Sequence, residues 1–390
     1  MDTNYLQELI DEAYRRGGGM ILNFENKPAA VVLSIEKYNE MISGSVNQRI
    51  SESADQLASE SASASQELFS EPKKLKILVT GGAGYIGAHT ARMLLGEGYE
   101  VVVFDNLSCG KRENVPLGAK FVEGDLADTN LLKDLFAMEN FDSVMHFAAS
   151  IEVKESFEIP EKYLKNNTFN TANLISVMLE AGVKKIIFSS TAAVYGLQEE
   201  MPIAENSPLR PNNPYGYSKL LAEKVIKYHC KYSGLQAVIF RYFNACGFGF
   251  GGEILPTHNS HLISKVLEVA KGEKPFLTVN GNTYETLDGT CVRDYVHVLD
   301  IATAHVLGLK NLENQSDFEI FNIGTGKGVS VLEMVSIASE VLEKIIPMEI
   351  GPCREGDAPI TVADNTKILK ILGFSTRYSN LENIIRTTWQ

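Results

Sequence analysis

Tyr215 and Lys219, in Tyr215-Gly216-Tyr217-Ser218-Lys219, stand four residues apart. On a helix that spacing puts both side chains on one face, with Cβ atoms about 5–6 Å apart. A phenol with a pKa near ~10 is a poor base at neutral pH. A neighbouring cation favours the phenolate and lowers that pKa, so the pair can take a proton from a substrate hydroxyl. By itself the spacing is common and mostly marks a solvated pair. Thr191 makes it more specific: it closes the apolar run Lys185-Ile186-Ile187-Phe188-Ser189-Ser190-Thr191, at the strand end where ligands bind in parallel sheets. Its hydroxyl can hydrogen-bond the reacting oxygen.

A second set of residues says what the base works with. Thr80-Gly81-Gly82-Ala83-Gly84-Tyr85-Ile86-Gly87 directly follows the apolar run Lys76-Ile77-Leu78-Val79. Glycines at this spacing allow a tight turn, a close approach to a pyrophosphate, and close packing of the next helix on the strand. That helix's N-terminus offers unpaired N–H groups and a positive dipole end. Asp105 ends the next strand, 21 residues after Gly84, where a carboxylate can bind the adenosine ribose. It would repel the extra phosphate of NADP, so NAD is the expected cofactor. Its positive nicotinamide would further favour the Tyr215 phenolate. Gly124-Asp125-Leu126 can bracket the adenine, and Phe147-Ala148-Ala149 places small residues where a cofactor passes.

The elements that must position these groups alternate strand and helix. Val101–Phe104, Ser143–Phe147 and Lys185–Phe188 follow the first strand at intervals filled by helical stretches. This alternation predicts an α/β fold, a doubly wound parallel Rossmann sheet over residues 73–245. Residues 246–390 carry shorter mixed elements and read as a smaller substrate-binding α/β part, with some segments returning to the sheet. Ahead of both, residues 1–43 form an α+β appendage. Its helix carries Leu6, Leu9, Ile10, Ala13 and Tyr14 and stops at Gly17-Gly18-Gly19. Strands at Met20–Phe24 and Ala29–Ile35 follow, joined by a Glu25-Asn26-Lys27-Pro28 turn, and a short helix at Glu36–Met41 closes the unit. Residues 44–72, rich in Ser, Ala and Glu, cannot bury enough surface to offset chain entropy and read as a linker.

The totals set further bounds. A chain of 390 residues, 44% hydrophobic and 22% charged, can build a sizeable core. A net charge of -13 argues against nucleic-acid or membrane surfaces. The five cysteines are scattered with no CxxC pair, which points to reduced thiols and no metal knuckle. No run is apolar enough to span a bilayer, and no signal pattern opens the chain, so a cytoplasmic location is expected.

From Lys73 to Gln390 the sequence resembles the UDP-galactose 4-epimerases of the extended short-chain dehydrogenase superfamily. The carriers are the glycine turn, Asp105-Asn106-Leu107, His146-Phe147-Ala148, Arg241-Tyr242-Phe243-Asn244, Asp288-Gly289-Thr290, Val292-Arg293-Asp294-Tyr295-Val296-His297 and Arg354-Glu355-Gly356-Asp357. The resemblance implies Tyr215 as the base on the hexose 4-hydroxyl, Lys219 as its electrostatic partner and Thr191 as the hydroxyl helper. Asn166, Tyr242 and Phe243 would line the nicotinamide end. Asn244, Leu262, Arg293, Arg354 and Asp357 would hold the UDP part of a UDP-hexose. Hydride would leave C4 and return to the other face of a 4-keto sugar, with NAD regenerated and retained. A homodimer is the family expectation.

Three positions depart from the pattern. Ile151 replaces a lysine common after the His-Phe-Ala motif, and Asn280 stands where an aromatic often packs by the uracil. Thr361 matches the position whose size gates the 2-substituent of the hexose, and its small side chain is expected to admit UDP-N-acetylglucosamine. Three rival readings compete with this one; the first, an oxidoreductase working with free NAD, would show as net NADH accumulation. A 4,6-dehydratase needs an Asp-Glu pair after the threonine, where this chain has Ala192-Ala193. An NAD-holding sensor would not need Thr191, Tyr215 and Lys219 together. Residues 1–43 resemble part of the prevent-host-death type of antitoxin, through Leu9–Ala13, Met20–Leu22, Lys27–Ser34 and Tyr38. Those antitoxins dimerise, bind operator DNA and clasp a toxin. Residues 1–72 carry 12 acidic against 5 basic side chains, a poor balance for phosphate contacts, which favours a dimerising appendage over a repressor.

Overall fold

The computed structural model describes residues 20–24, 27–32, 74–254, 262–314, 317–354 and 356–389, the first two stretches as backbone alone. The chain divides into two units, Met1–Lys73 and Lys74–Gln390. In the first, β1 (Met20–Phe24) and β2 (Lys27–Val32) pair antiparallel. The second strand thus begins at Lys27, absorbing two residues that the sequence assigned to the turn, because pairing to Phe24 extends to Lys27. The expected appendage helices and the linker lie outside the described residues.

In the second unit, the first part of the sheet is β3 (Lys76–Thr80), β4 (Glu100–Asp105), β5 (Lys120–Glu123), β6 (Ser143–His146), β7 (Lys185–Thr191) and β8 (Gln236–Tyr242). Short strands β9 (Asn244–Cys246), β10 (Leu277–Asn280), β11 (Val292–Arg293) and β12 (Tyr295–His297) follow. Then come β13 (Phe318–Ile323), β14 (Val329–Ser330), β15 (Met348–Gly351) and β16 (Ile360–Thr361). Seven strands form one parallel sheet in the order β13-β8-β7-β6-β3-β4-β5. This is the doubly wound fold expected from the alternation. Its order reverses between β3 and β6, and such a switch point opens a crevice at the strands' carboxyl ends.

Alternation along the strands builds the two cores. Ile77, Val79, Val101 and Val103 point into one cluster, while Leu78, Val102 and Phe104 point into the other. Both faces of the sheet are covered, which is why its strands read as nearly continuous apolar runs. After residue 245 the chain returns to the sheet through the helix Val298–Asn314 and β13. Residues of β9, β10, β12 and β14 and three helices, Leu262–Ala270, Val331–Leu342 and Leu381–Trp389, build a third cluster with Ile263, Met334 and Ile384. Among the described residues no helix is long and apolar enough to cross a membrane.

Candidate active site

The turn after β3 is shaped by close approach. Gly81 has φ +71°, and a Cβ at Gly87 would meet the Gly81 carbonyl oxygen at 2.3 Å. The helix Tyr85–Gly96 therefore starts hard against the turn. Its first turn has neither a side-chain cap nor an acidic residue. Gly84, Tyr85, Ile86 and Gly87 line a cavity of about 1210 Å³, so the uncapped end addresses that space. Asp105 closes the turn from the side: its carboxylate accepts from Ala83 N at 3.0 Å and Leu107 N at 2.9 Å. Burial pushes its pKa up despite these bonds. The Asn106 amide donates to Asp125 at 2.7 Å, fixing the next strand end beside it. Asp105, Asn106, Asp125, Leu126, Phe147, Ala148 and Ala149 all line the same cavity. Uncapped backbone donors, a cradle that a side chain would fill and a carboxylate at the second strand fit a dinucleotide.

At the middle of the cavity stand Thr191, Tyr215 and Lys219. Thr191 ends β7, and the other two sit on the helix Pro214–Ser233. Asn213 caps that helix by accepting from Gly216 N at 2.8 Å, and Pro214 occupies its first turn. Tyr215 thus lies at a helix N-terminus, where the dipole favours a phenolate. Gly216 brings the parts together: a Cβ there would meet the Ala193 carbonyl oxygen at 2.5 Å. The Thr191 hydroxyl hydrogen-bonds the Tyr215 phenol.

Burial dominates the charge in this centre. Enclosure pushes Tyr215 up to about 12, with Thr191 lowering it by a smaller amount, so Lys219 alone does not make the phenol acidic. Burial pushes Lys219 down to about 7, against the opposing pull of Glu223. Its ammonium lies 4.4 Å from the Phe188 ring centre. The loss of water outweighs the short-range attraction at both groups.

Around this centre, Tyr242 and Phe243 line the cavity, and the Tyr242 hydroxyl is held by His305 at 2.7 Å. Asn166 also lines it, on a π-helical stretch, Leu164–Phe169. Asn166 donates to Ser150 at 3.1 Å, and the neighbouring Asn167 donates to Ser218 at 2.9 Å, next to Lys219.

The far end of the cavity holds Asn244, Leu262, Arg293, Arg354, Asp357 and Thr361, with Ile151 and Asn280 also on its wall. Arg293 pairs in register with Thr361 across β11 and β16. Its guanidinium donates to the Val292 and Ala358 carbonyls at 2.9 and 2.7 Å and lies 3.8 Å from Asp357. The Arg354 side chain is exposed at the mouth. Asp294, between Arg293 and Tyr295, is fully buried and accepts from Thr325, Gly326 and Ala363. That part of the motif is scaffold.

Every site residue chosen from sequence lines this one cavity except Gly82, where a Cβ would meet the Val103 side chain at 2.9 Å. Sequence reasoning missed Lys265, Asn212 and Cys291, which line it too. Lys265 was legible as the residue one turn after Leu262; Asn212 and Cys291 gave no local signal. Among the described residues no group of His, Cys, Asp and Glu could hold a metal.

A doubly wound sheet with a glycine turn at its switch point and a Thr–Tyr–Lys centre defines an enzyme of the extended short-chain dehydrogenase class. The cavity exceeds the usual few hundred to ~1,000 Å³ of a single small-molecule pocket, leaving room for two ligands end to end. The chain belongs to the NAD dependent epimerase/dehydratase family, whose model matches residues 77–324. It is 44% identical over 317 residues to the UDP-glucose 4-epimerase of Lacticaseibacillus casei, covering 81% of this chain and 96% of that one. The crystal structure of UDP-glucose 4-epimerase from Brucella ovis in complex with NAD is 42% identical, with a TM-score of 0.78, over 80% of this chain and 97% of that one. The UDP-Glc/GlcNAc 4-epimerase of Campylobacter jejuni is 41% identical, with a TM-score of 0.72, over 81% and 98%.

Proposed function

We propose that the chain interconverts UDP-galactose and UDP-glucose as an NAD-dependent 4-epimerase, an isomerase, and also accepts UDP-N-acetylhexosamines. The observation that carries this reading is one continuous cavity lined by the glycine turn and Asp105, by Thr191, Tyr215 and Lys219, and by Arg293 and Arg354.

Gly81, Gly84, Tyr85, Ile86, Gly87, Asp105, Asn106, Asp125, Leu126, Phe147, Ala148, Ala149, Asn166, Lys219 and Tyr242 would hold NAD. When bound, NAD supplies the uptake of hydride from the hexose C4 and its return. Tyr215 takes the O4 proton and gives it back, with Thr191 holding the same oxygen through the exchange. Lys219 stabilises the phenolate. Arg293 and Arg354 clamp the diphosphate with charge-assisted bonds. Asn244, Leu262 and Asp357 support that clamp. Held by its diphosphate, the 4-keto hexose can turn over and present its other face. Thr361 lines the cavity beside Arg293, and its small side chain supports acceptance of a 2-acetamido group. Ala192 and Ala193 supply no acid or base beside Thr191, which favours epimerisation over dehydration.

Exposed Leu164 and Phe169, with Tyr217 and Tyr228 on the Tyr215 helix, support a homodimer. All five thiols are unpaired, which suits a reducing cytoplasm. Residues 1–43 are read as a dimerising appendage; a gel shift with DNA from upstream of its own gene would restore the repressor reading. The test of the main reading is incubation with UDP-galactose and identification of the product. UDP-glucose is expected from the parent protein and none from Tyr215→Phe; no product from the parent would sink it.

A further inference from the structure

Behind Thr191, Tyr215 and Lys219 lies a buried polar group that those roles do not use. Glu223 follows Lys219 by one helical turn, so the two share a face. Glu223 and Arg241 are 4% and 1% exposed. The Glu223 carboxylate accepts from Arg241 Nε at 3.0 Å and Nη2 at 2.6 Å, and from the Ser190 hydroxyl. Arg241 Nη1 donates to the Tyr195 hydroxyl at 3.0 Å and the Glu205 carbonyl at 3.1 Å. Ser190 precedes Thr191 on β7, and Arg241 precedes Tyr242 on β8. One carboxylate therefore ties together the three elements that carry Thr191, Tyr242 and the Tyr215–Lys219 pair.

A buried ion pair is a weak source of stability, since apolar residues of the same volume often serve a fold as well. Its charge has a use here. The groups facing Lys219 are Glu223 from its own helix, the Phe188 ring from β7 and His146 from β6. Burial pushes His146 down to about 3, so it is neutral and cannot balance charge. Glu223 itself is faced by Arg241 from β8, Ser190 from β7 and, through Arg241, Tyr195.

We propose that Glu223 is a positioning residue for proton transfer: through Ser190 and Arg241 it holds the Thr191 strand end against the Tyr215–Lys219 helix, and its carboxylate keeps the Lys219 ammonium charged. The proposal rests on Tyr215 and Lys219 being the reacting pair. Glu223→Gln leaves Arg241 an uncompensated buried cation and removes the anion beside Lys219, so Tyr215 and Lys219 both lose their protons at lower pH than in the parent.

The test uses the holoenzyme. Ultraviolet difference titration against the matching Tyr215→Phe protein reads the Tyr215 phenolate with no sugar present. The expected result for Glu223→Gln is a midpoint lower by about one pH unit. Both limbs of the turnover pH profile should move the same way, while Glu223→Asp keeps the parent midpoint. A folded Glu223→Gln protein with the parent midpoint would overturn the proposal. Should that variant not fold, Ser190→Ala keeps every charge and decides the positioning role. It should show a kcat lowered about tenfold at unchanged KM, and a parental kcat would overturn that role. Because the titration needs no UDP-sugar, failure of the epimerase reading shows separately, as a parent that turns over no UDP-galactose.

Discussion

The two ends of the cavity are built in different ways. At the cofactor end the contacts are backbone on backbone: the Gly81 carbonyl leaves no room for a side chain at Gly87, and Asp105 is pinned by two main-chain N–H groups. At the substrate end the contacts come from side chains on two-residue strands and loops. Arg354 is exposed, and Arg293 spends part of its donor capacity on neighbouring carbonyls. A rigid cradle suits a cofactor that never leaves. A side-chain clamp suits a nucleotide sugar that must enter, let its hexose turn over and leave. The reacting centre lies between them, on the rigid side.

Substitutions can break this contrast. Tyr215→Phe should have the largest effect, lowering kcat by about 10²–10⁴-fold with NAD still bound, as expected for a lost general base. Gly216→Ala should follow. Its Cβ cannot sit 2.5 Å from the Ala193 carbonyl, so the helix must retreat from Thr191. A displacement of that kind costs up to about 10²-fold in kcat with KM little changed. Arg354→Ala belongs to the other end and should raise KM about tenfold or more while sparing kcat, as steady-state kinetics would show. An R354A protein that lost NAD instead would erase the division between the ends. Thr361→Tyr should selectively lower turnover of UDP-N-acetylglucosamine; equal turnover before and after would remove Thr361 from substrate selection.

A separate prediction concerns stability. His89, His146, His297 and His305 are buried and pushed down to about 4, 3, 4 and 4 by loss of water. Unfolded, each takes up a proton near pH ~6.5. Unfolding therefore binds protons between about pH 6.5 and 4, and stability from these groups is full above ~6.5 and falls on acidification. Each contributes up to about 1.4 kcal/mol per pH unit in that window. Urea midpoints at pH 7.5 and 5 measure the sum, and a midpoint unchanged at pH 5 would contradict it.

What the sequence revealed follows the same contrast. The glycine turn, Asp105 and the Tyr215–Lys219 spacing were legible because local sequence sets their geometry. The proposed substrate residues Arg293, Arg354 and Thr361 came only through resemblance, since β11 and β16 meet across some 65 residues of chain. Gly216 was visible only as a letter inside the Tyr–Lys motif; its function depends on Ala193, which folding brings beneath it. The Glu223–Arg241–Ser190 group and the π-helical turn that presents Asn166 gave no local signal, because their partners lie on other elements. Asp294 was the reverse case, a motif residue that serves the backbone of Thr325, Gly326 and Ala363.

On the proposed reading, cofactor is held and recycled while the sugar alone exchanges. The most direct measurement counts turnovers per bound NAD: the purified protein is given excess UDP-galactose with no added NAD, while absorbance at about 340 nm is followed. Many UDP-glucose molecules should form per NAD, with no net reduced cofactor accumulating. Reduced cofactor rising in step with product, or conversion that stops after one turnover until NAD is supplied, would contradict it.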